Sequence, residues 1–102
     1  MPLVLIAGTV AGQPKADPFP SKGRPHAECR LEVTDDGCVT LYRIVGFDES
    51  MEMIERLAPG DAVSVQGSLR LEHKDNKITS LFIVAGRVLP LRQRSPNLRF
   101  GI

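Results

Sequence analysis

Residues 41–71 read LYRIVGFDESMEMIERLAPGDAVSVQGSLRL, a strand, a short helix, a Pro-Gly stop and a second strand with no loop of any length between them. Val63, Val65, Leu69 and Leu71 alternate with Ser64, Gln66, Ser68 and Arg70, the period of two expected of a strand with one buried face. Gly67 interrupts the apolar series and marks a bulge or sharp bend, which a small barrel needs where a strand turns a corner. Ahead of that strand, Asp48 is placed to cap a helix, and Glu49 and Glu52 sit near its positive end. Met51, Ile54 and Leu57, with Met53 beside them, give an apolar stripe of about three turns, and Pro59-Gly60 ends it. One short helix between strands, in a chain that otherwise forms strands, predicts a small Greek-key barrel of the OB type.

With 102 residues, 42% of them hydrophobic, the chain can bury a single core. The apolar run Leu3 to Ala7 is too short to span a bilayer, and no basic segment precedes it, so neither a membrane span nor a signal peptide is expected. Two cysteines point to a reducing, cytoplasmic setting. A hairpin around Asp36-Gly37 pairs position 35 with 38 and sets Cys29 opposite Ile44, so Cys29 and Cys38 are not expected to form a disulfide. The net charge of +1 favours no partner, but residues 1–51 carry five basic and seven acidic groups and residues 52–102 carry eight and five. A nucleic-acid footprint would therefore be a local stripe.

The first strand, Leu3 to Ala11, is apolar on both faces, and so small a barrel can cover only one of them. The other is expected to meet a second subunit, or else the chain's own tail. Residues 12–25, GQPKADPFPSKGRP, hold four prolines and two glycines and read as a long loop. Its Lys15, Lys22 and Arg24 suit phosphates. Phe19 either offers a ring for a base to stack on or folds back to pin the loop. In the strand His26 to Thr34, Ala27, Cys29, Leu31 and Val33 point inward, whereas His26, Glu28, Arg30 and Glu32 point outward. Arg30 either contacts a polyanion or pairs with a neighbouring carboxylate.

After the Asp35-Asp36-Gly37 turn, a third strand runs from Cys38 to Phe47. Alternation alone leaves open whether the set 39/41/43/45/47 or the set 40/42/44/46 faces the core. Glu72 to Lys77 reads as a polar loop bearing His73, Lys74 and Lys77. In the last strand, Ile78 to Leu89, Leu81, Ile83 and Ala85 take one face and Phe82, Val84 and Val88 the other. We divide the chain into a barrel domain, residues 1–90, and a flexible basic tail, residues 91–102, with Arg92, Arg94 and Arg99. No HExxH, CxxC, P-loop or GxSxG motif occurs, so neither an enzyme, a metal or cofactor nor a small-molecule substrate is expected.

Several of these stretches resemble the bacterial single-stranded DNA-binding proteins: Gly8-Thr9-Val10, Ser21-Lys22-Gly23, the strand Ala27 to Val33, and above all IVGFDESMEMIERLAPGDAVSVQGSLRLE. In that family a strand ending in Phe leads to a short helix, a turn and the pattern V-x-V-x-G-x-L. The similarity spans roughly residues 3 to 89. Gly23 to His26 and Val65 to Gly67 are also similar to the primosomal replication protein of the same fold. The resemblance implies a five-stranded OB barrel, a homodimer or homotetramer, and single-stranded DNA held by stacking and basic residues. It puts Phe47 at the family's stacking Phe and Arg43 at a basic position before it, so that the 41/43/47 set faces DNA. Leu41 stands where the family has a stacking Trp, the chain has no Trp, and its tail is basic where the family's is acidic. Weaker, more salt-sensitive binding than the family norm follows.

The expected function is sequence-tolerant binding of single-stranded DNA in replication, repair or replication restart. The expected contacts are Phe47, Arg43, Arg70, Lys74 and Lys77, then Lys22, Arg24 and Arg30, with Tyr42 and Phe19 further candidates. The alternative is an OB module that binds a protein, as an accessory in a primosome-like or phage replication assembly.

Overall fold

The computed structural model describes residues 3–91. Its elements are β1 (Leu3–Asp17), β2 (His26–Asp35), β3 (Cys38–Gly46), α1 (Glu49–Glu55), β4 (Ala62–Lys74) and β5 (Lys77–Pro90). The strands close into a barrel in the order β1-β2-β3-β5-β4. All neighbours are antiparallel except β3 and β5. This all-β architecture with one short helix is the expected OB-type barrel.

The core follows the alternation. Ala27, Cys29 and Leu31 of β2, Ile44 of β3, Val63 and Val65 of β4 and Ile83 and Ala85 of β5 are buried. Ile54 of α1 and Leu57 just beyond it join the same cluster, so the helix closes one end of the barrel. Cys29 pairs with Ile44 and Asp35 with Cys38 in register, as the hairpin predicted, and both cysteines are free.

Where the structure departs from expectation, local geometry gives the reason. β1 does not stop at Ala11. It resumes pairing at Lys15 after a bulge in which residues 12–14 oppose only Cys29, and Gly12 supplies the positive φ of 77° that starts it. The loop before β2 thus shrinks to residues 18–25. The helix spans seven residues, two turns rather than three. Asp48 occupies the N-cap position at φ 53°, but its side chain makes no cap hydrogen bond and is engaged by Arg24 instead.

The segment read as a loop from Glu72 to Lys77 is mostly strand. Lys74 pairs with Lys77, leaving a two-residue turn in which Asp75 and Asn76 both have positive φ, the type I′ geometry that matches strand twist. Gly67 does lie at a bulge, with the extra residue on the partner strand. Gln66 pairs with Arg87 and Gly67 with Ala85, which leaves Gly86 over. That extra residue resets the alternation of β5, so Val88 is buried with Ile83 and Ala85 and does not share a face with Phe82 and Val84. Leu71, assigned to the buried series of β4, is 45% exposed, because the β4–β5 hairpin extends past the barrel end. The tail residues Arg92, Arg94 and Arg99 lie outside the described residues.

Candidate nucleic-acid interface

The barrel presents the outer faces of β2, β3, β5 and β4 side by side. On β3 the even-numbered residues turn inward: Ile44 and Gly46 are buried, and Tyr42 packs against the core. No bulge is recorded in the β2–β3 ladder to shift that parity, so Tyr42 lies on the opposite side from Arg43. Leu41, Arg43 and Phe47 are thereby on the outer face. Register then lines up one transverse row over four strands. Arg30 pairs with Arg43, Arg43 with Phe82, and Arg70 with Phe82.

Arg43 is oriented within this row by two carboxylates. Its Nε donates to Glu28 Oε1 at 2.9 Å and its Nη2 to Glu28 Oε2 at 3.4 Å. Glu72 Oε1 lies 3.8 Å from Nη1. The guanidinium carbon sits 5.2 Å from the centroid of the Phe82 ring, where the quadrupole of the π face attracts a cation. The hydrogen bond from Arg43 holds the Glu28 carboxyl below the usual carboxylate range, although burial opposes it, and the same bond pushes Arg43 up.

The arrangement recurs in the same cleft. The Arg24 guanidinium lies 4.4 Å over the Phe47 ring and donates through Nη2 to Asp48 Oδ2 at 2.9 Å. His26 tilts against the same ring, with centroids 6.2 Å apart, and its Nδ1 donates to the Arg24 carbonyl at 2.9 Å. Lys22, Gly23, Arg24, His26, Arg43, Val45, Phe47 and Phe82 enclose a cleft of about 370 Å³. Two aromatic faces, four side chains able to carry positive charge and a floor of Val45 suit a flat heterocycle linked to an anion.

Of the residues singled out from sequence, Lys22, Arg24, Arg43 and Phe47 are brought together here. Arg30 and Arg70 flank them in the row, both exposed. Lys74 and Lys77 face each other at the tip of the β4–β5 hairpin. Phe19 is 91% exposed, so it does not fold back to pin its loop. Sequence reasoning missed Phe82, Glu28 and Glu72. Phe82 stood in a strand apolar on both sides and carried no outward signal. Glu28 could have been found, since the register of the hairpin sets it opposite Val45, two places from Arg43 on the same face.

Elsewhere, Leu3 and Leu5 on the outer face of β1 are 75% and 71% exposed. Along this stretch β1 is paired to β4, and its recorded ladder with β2 begins only at Thr9. Among the described residues no cluster of His, Cys, Asp and Glu is arranged to hold a metal ion, and no helix is long and apolar enough to cross a membrane. Burial pushes the Cys29 thiol up to about 11, which keeps it protonated and unreactive.

No protein-family model matches the sequence, and no curated protein matches it either. Solved structures do. A small single-stranded DNA-binding protein from Streptomyces coelicolor superposes with a TM-score of 0.69 at 25% identity, over 84% of this chain and 88% of that one. The SSB domain of a Synechococcus protein gives 0.68 at 21%, over 87% and 94%. A deletion mutant of the single-stranded DNA binding protein from Thermus aquaticus gives 0.75 at 20%, over 95% of this chain and 44% of that one. In fold and in the course of its strands, this OB barrel is similar to the bacterial single-stranded DNA-binding proteins.

Proposed function

We propose that the protein binds single-stranded DNA with little sequence preference, by phosphate contacts from basic side chains and by stacking on Phe47. The observation that carries this reading is the clustering of Arg43, Arg24, Lys22 and Phe47 around one open cleft on the outer sheet face. The likeness to single-stranded DNA-binding proteins of known structure supports it. Arg30 and Arg70 extend the path along the row, and Lys74 and Lys77 continue it onto the hairpin. Lys15 lines a separate hollow at the β1 bulge with Arg30, at the margin of the same path. Phe19 offers an exposed ring in the loop between β1 and β2. Tyr42 has no part in the path, since it packs inward.

The roles that follow are in replication, repair or replication restart, in the cytoplasm, without a catalytic step. Residues 1–90 carry the binding domain and 91–102 a basic tail. The exposed Leu3 and Leu5 of β1 form the contact of a homodimer or homotetramer. A second reading, a module that binds a replication protein, draws on the carboxylates Glu28, Glu72 and Asp48, which already engage arginines of the cleft.

The test is fluorescence anisotropy of a labelled oligo(dT) titrated with the full chain at several salt concentrations. The expected result is saturable binding whose logarithm falls with log salt at a slope of about −0.7 per phosphate neutralised. No binding at low salt overturns the proposal and turns the search to a protein partner for the same face.

A further inference from the structure

The cleft contains one motif twice. In each copy a phenylalanine ring on the outer sheet face is covered by an arginine, and that arginine is held by a carboxylate. Arg24 covers Phe47 and is bound by Asp48; Arg43 covers Phe82 and is bound by Glu28. A base cannot stack on either face while the guanidinium lies across it. The first ion pair is open to solvent and the second partly so, with side-chain exposures of 63% and 84% in the first and 38% and 35% in the second. Pairs so exposed are weak enough for a competing anion to replace the carboxylate. A phosphate offers the same bidentate geometry.

We propose that Phe82 is a second nucleobase platform beside Phe47, closed in the free protein by Arg43 and opened when a backbone phosphate takes Arg43 from Glu28. This rests on the single-stranded DNA reading and deepens it. The register supports it, because Phe82 lies directly between Arg43 and Arg70, so a base on the ring has a cation on either side for its flanking phosphates. The core supports it as well. Ile83 carries the packing of this part of β5 at 1% exposure, and Phe82 is turned to the other side, half-buried. The cleft that joins the two rings, about 370 Å³, lies within the range of roughly 300–1,000 Å³ usual for small-ligand sites. Glu28 then acts as a positioning residue. It contributes nothing to the nucleic acid directly and determines how readily the ring is uncovered.

The experiment compares full-length wild type, Phe82→Leu, Phe82→Tyr, Glu28→Gln and Glu32→Gln by anisotropy. Each is titrated with labelled oligo(dT) and with an abasic oligonucleotide of equal length and charge. Loss of the ring is expected to weaken oligo(dT) binding by about fivefold or more, with the abasic strand unaffected and with Phe82→Tyr restoring the affinity. Glu32 is an exposed acid of the same strand face, so Glu32→Gln reports the general effect of removing one negative charge. Glu28→Gln is expected to tighten both strands beyond that effect, because Arg43 is freed for a phosphate in each, and to tighten oligo(dT) more, because only there does the uncovered ring gain a base.

If Phe82→Leu weakens both strands alike, or weakens neither, Phe82 is not a platform. If Glu28→Gln never exceeds Glu32→Gln, the closure by Arg43 is wrong. Either result with a wild type that binds oligo(dT) overturns this inference alone, whereas a wild type that does not bind overturns the reading beneath it.

Discussion

At the scale of single residues, the Arg43–Glu28 pair shows how a site built for a polyanion can contain carboxylates. Glu28 neutralises Arg43 locally, orients its guanidinium over Phe82 and shares it with Glu72. Its pKa lies below the ordinary value in the folded protein, first because of the hydrogen bond from Arg43. A carboxyl depressed on folding stabilises the protein above its unfolded pKa, and that contribution is lost as pH falls through the folded one. Wild type is therefore expected to lose more stability than Glu28→Gln as pH is lowered from about 5, just above the unfolded carboxyl value, to about 3. Denaturant unfolding at stepped pH measures this. Identical pH profiles for the two proteins would remove Glu28 from the set of residues that folding perturbs. Part of the candidate site at this scale was legible: Arg43 and Phe47 stand out by residue type, although alternation left their facing open and only the resemblance to single-stranded DNA-binding proteins put them on the outer face. Phe82 was not, because its meaning depends on the β3–β5 pairing, a parallel contact between segments 39 residues apart in the chain that no local pattern announces.

At the scale of elements, what sequence revealed and what it concealed divide along the bulges. Strands with unbroken alternation, β2 and the first half of β4, place their buried residues as the period of two requires. Prediction failed beyond each irregularity: after Gly12 the first strand continued, and after Gly86 the parity of β5 reversed. The single extra residue at Gly86 moves every later side chain of β5 to the other face, whereas the three residues opposing Cys29 in β1 lengthen the strand without reversing it. Gly67 is the clearest case of an irregularity that sequence does mark. A Cβ built there would lie 2.2 Å from the Val84 carbonyl oxygen and 2.9 Å from its carbon, backbone atoms that cannot yield without breaking the β4–β5 ladder. Gly67→Ala is therefore expected to destabilise the barrel by about 1–3 kcal/mol, the usual cost of overpacking. The neighbouring Gly86→Ala, whose nearest contact would be 3.6 Å away, should cost far less. Chemical denaturation of the two variants side by side checks the contrast, and equal effects would mean that the bulge closes differently.

At the scale of the whole molecule, the unequal cover of the two faces of β1 bears on assembly. Val4 and Ile6 pack against the core, whereas Leu3 and Leu5 stand on the opposite face with three-quarters of their surface in water. Burying a leucine is worth about 1.5–3 kcal/mol, so two of them per chain, doubled by two-fold symmetry, supply a substantial part of the drive for a dimer. Leu89, 48% exposed, extends the apolar stripe across β4, where Ser64 pairs with both Ala7 and Leu89. An isologous contact through this stripe leaves the Arg43–Phe82 row free, because the row runs over β2, β3, β5 and β4 at a different part of the sheet. Leu5→Glu introduces a charge at the centre of the stripe without disturbing the core. Sedimentation is expected to give a dimer or larger species for wild type and a monomer for Leu5→Glu, with the variant still folded by circular dichroism. Its oligo(dT) affinity per chain should fall only by the avidity lost when two sites no longer share one strand. A wild type already monomeric at micromolar concentration would contradict this assembly, and the exposed leucines would then require another partner.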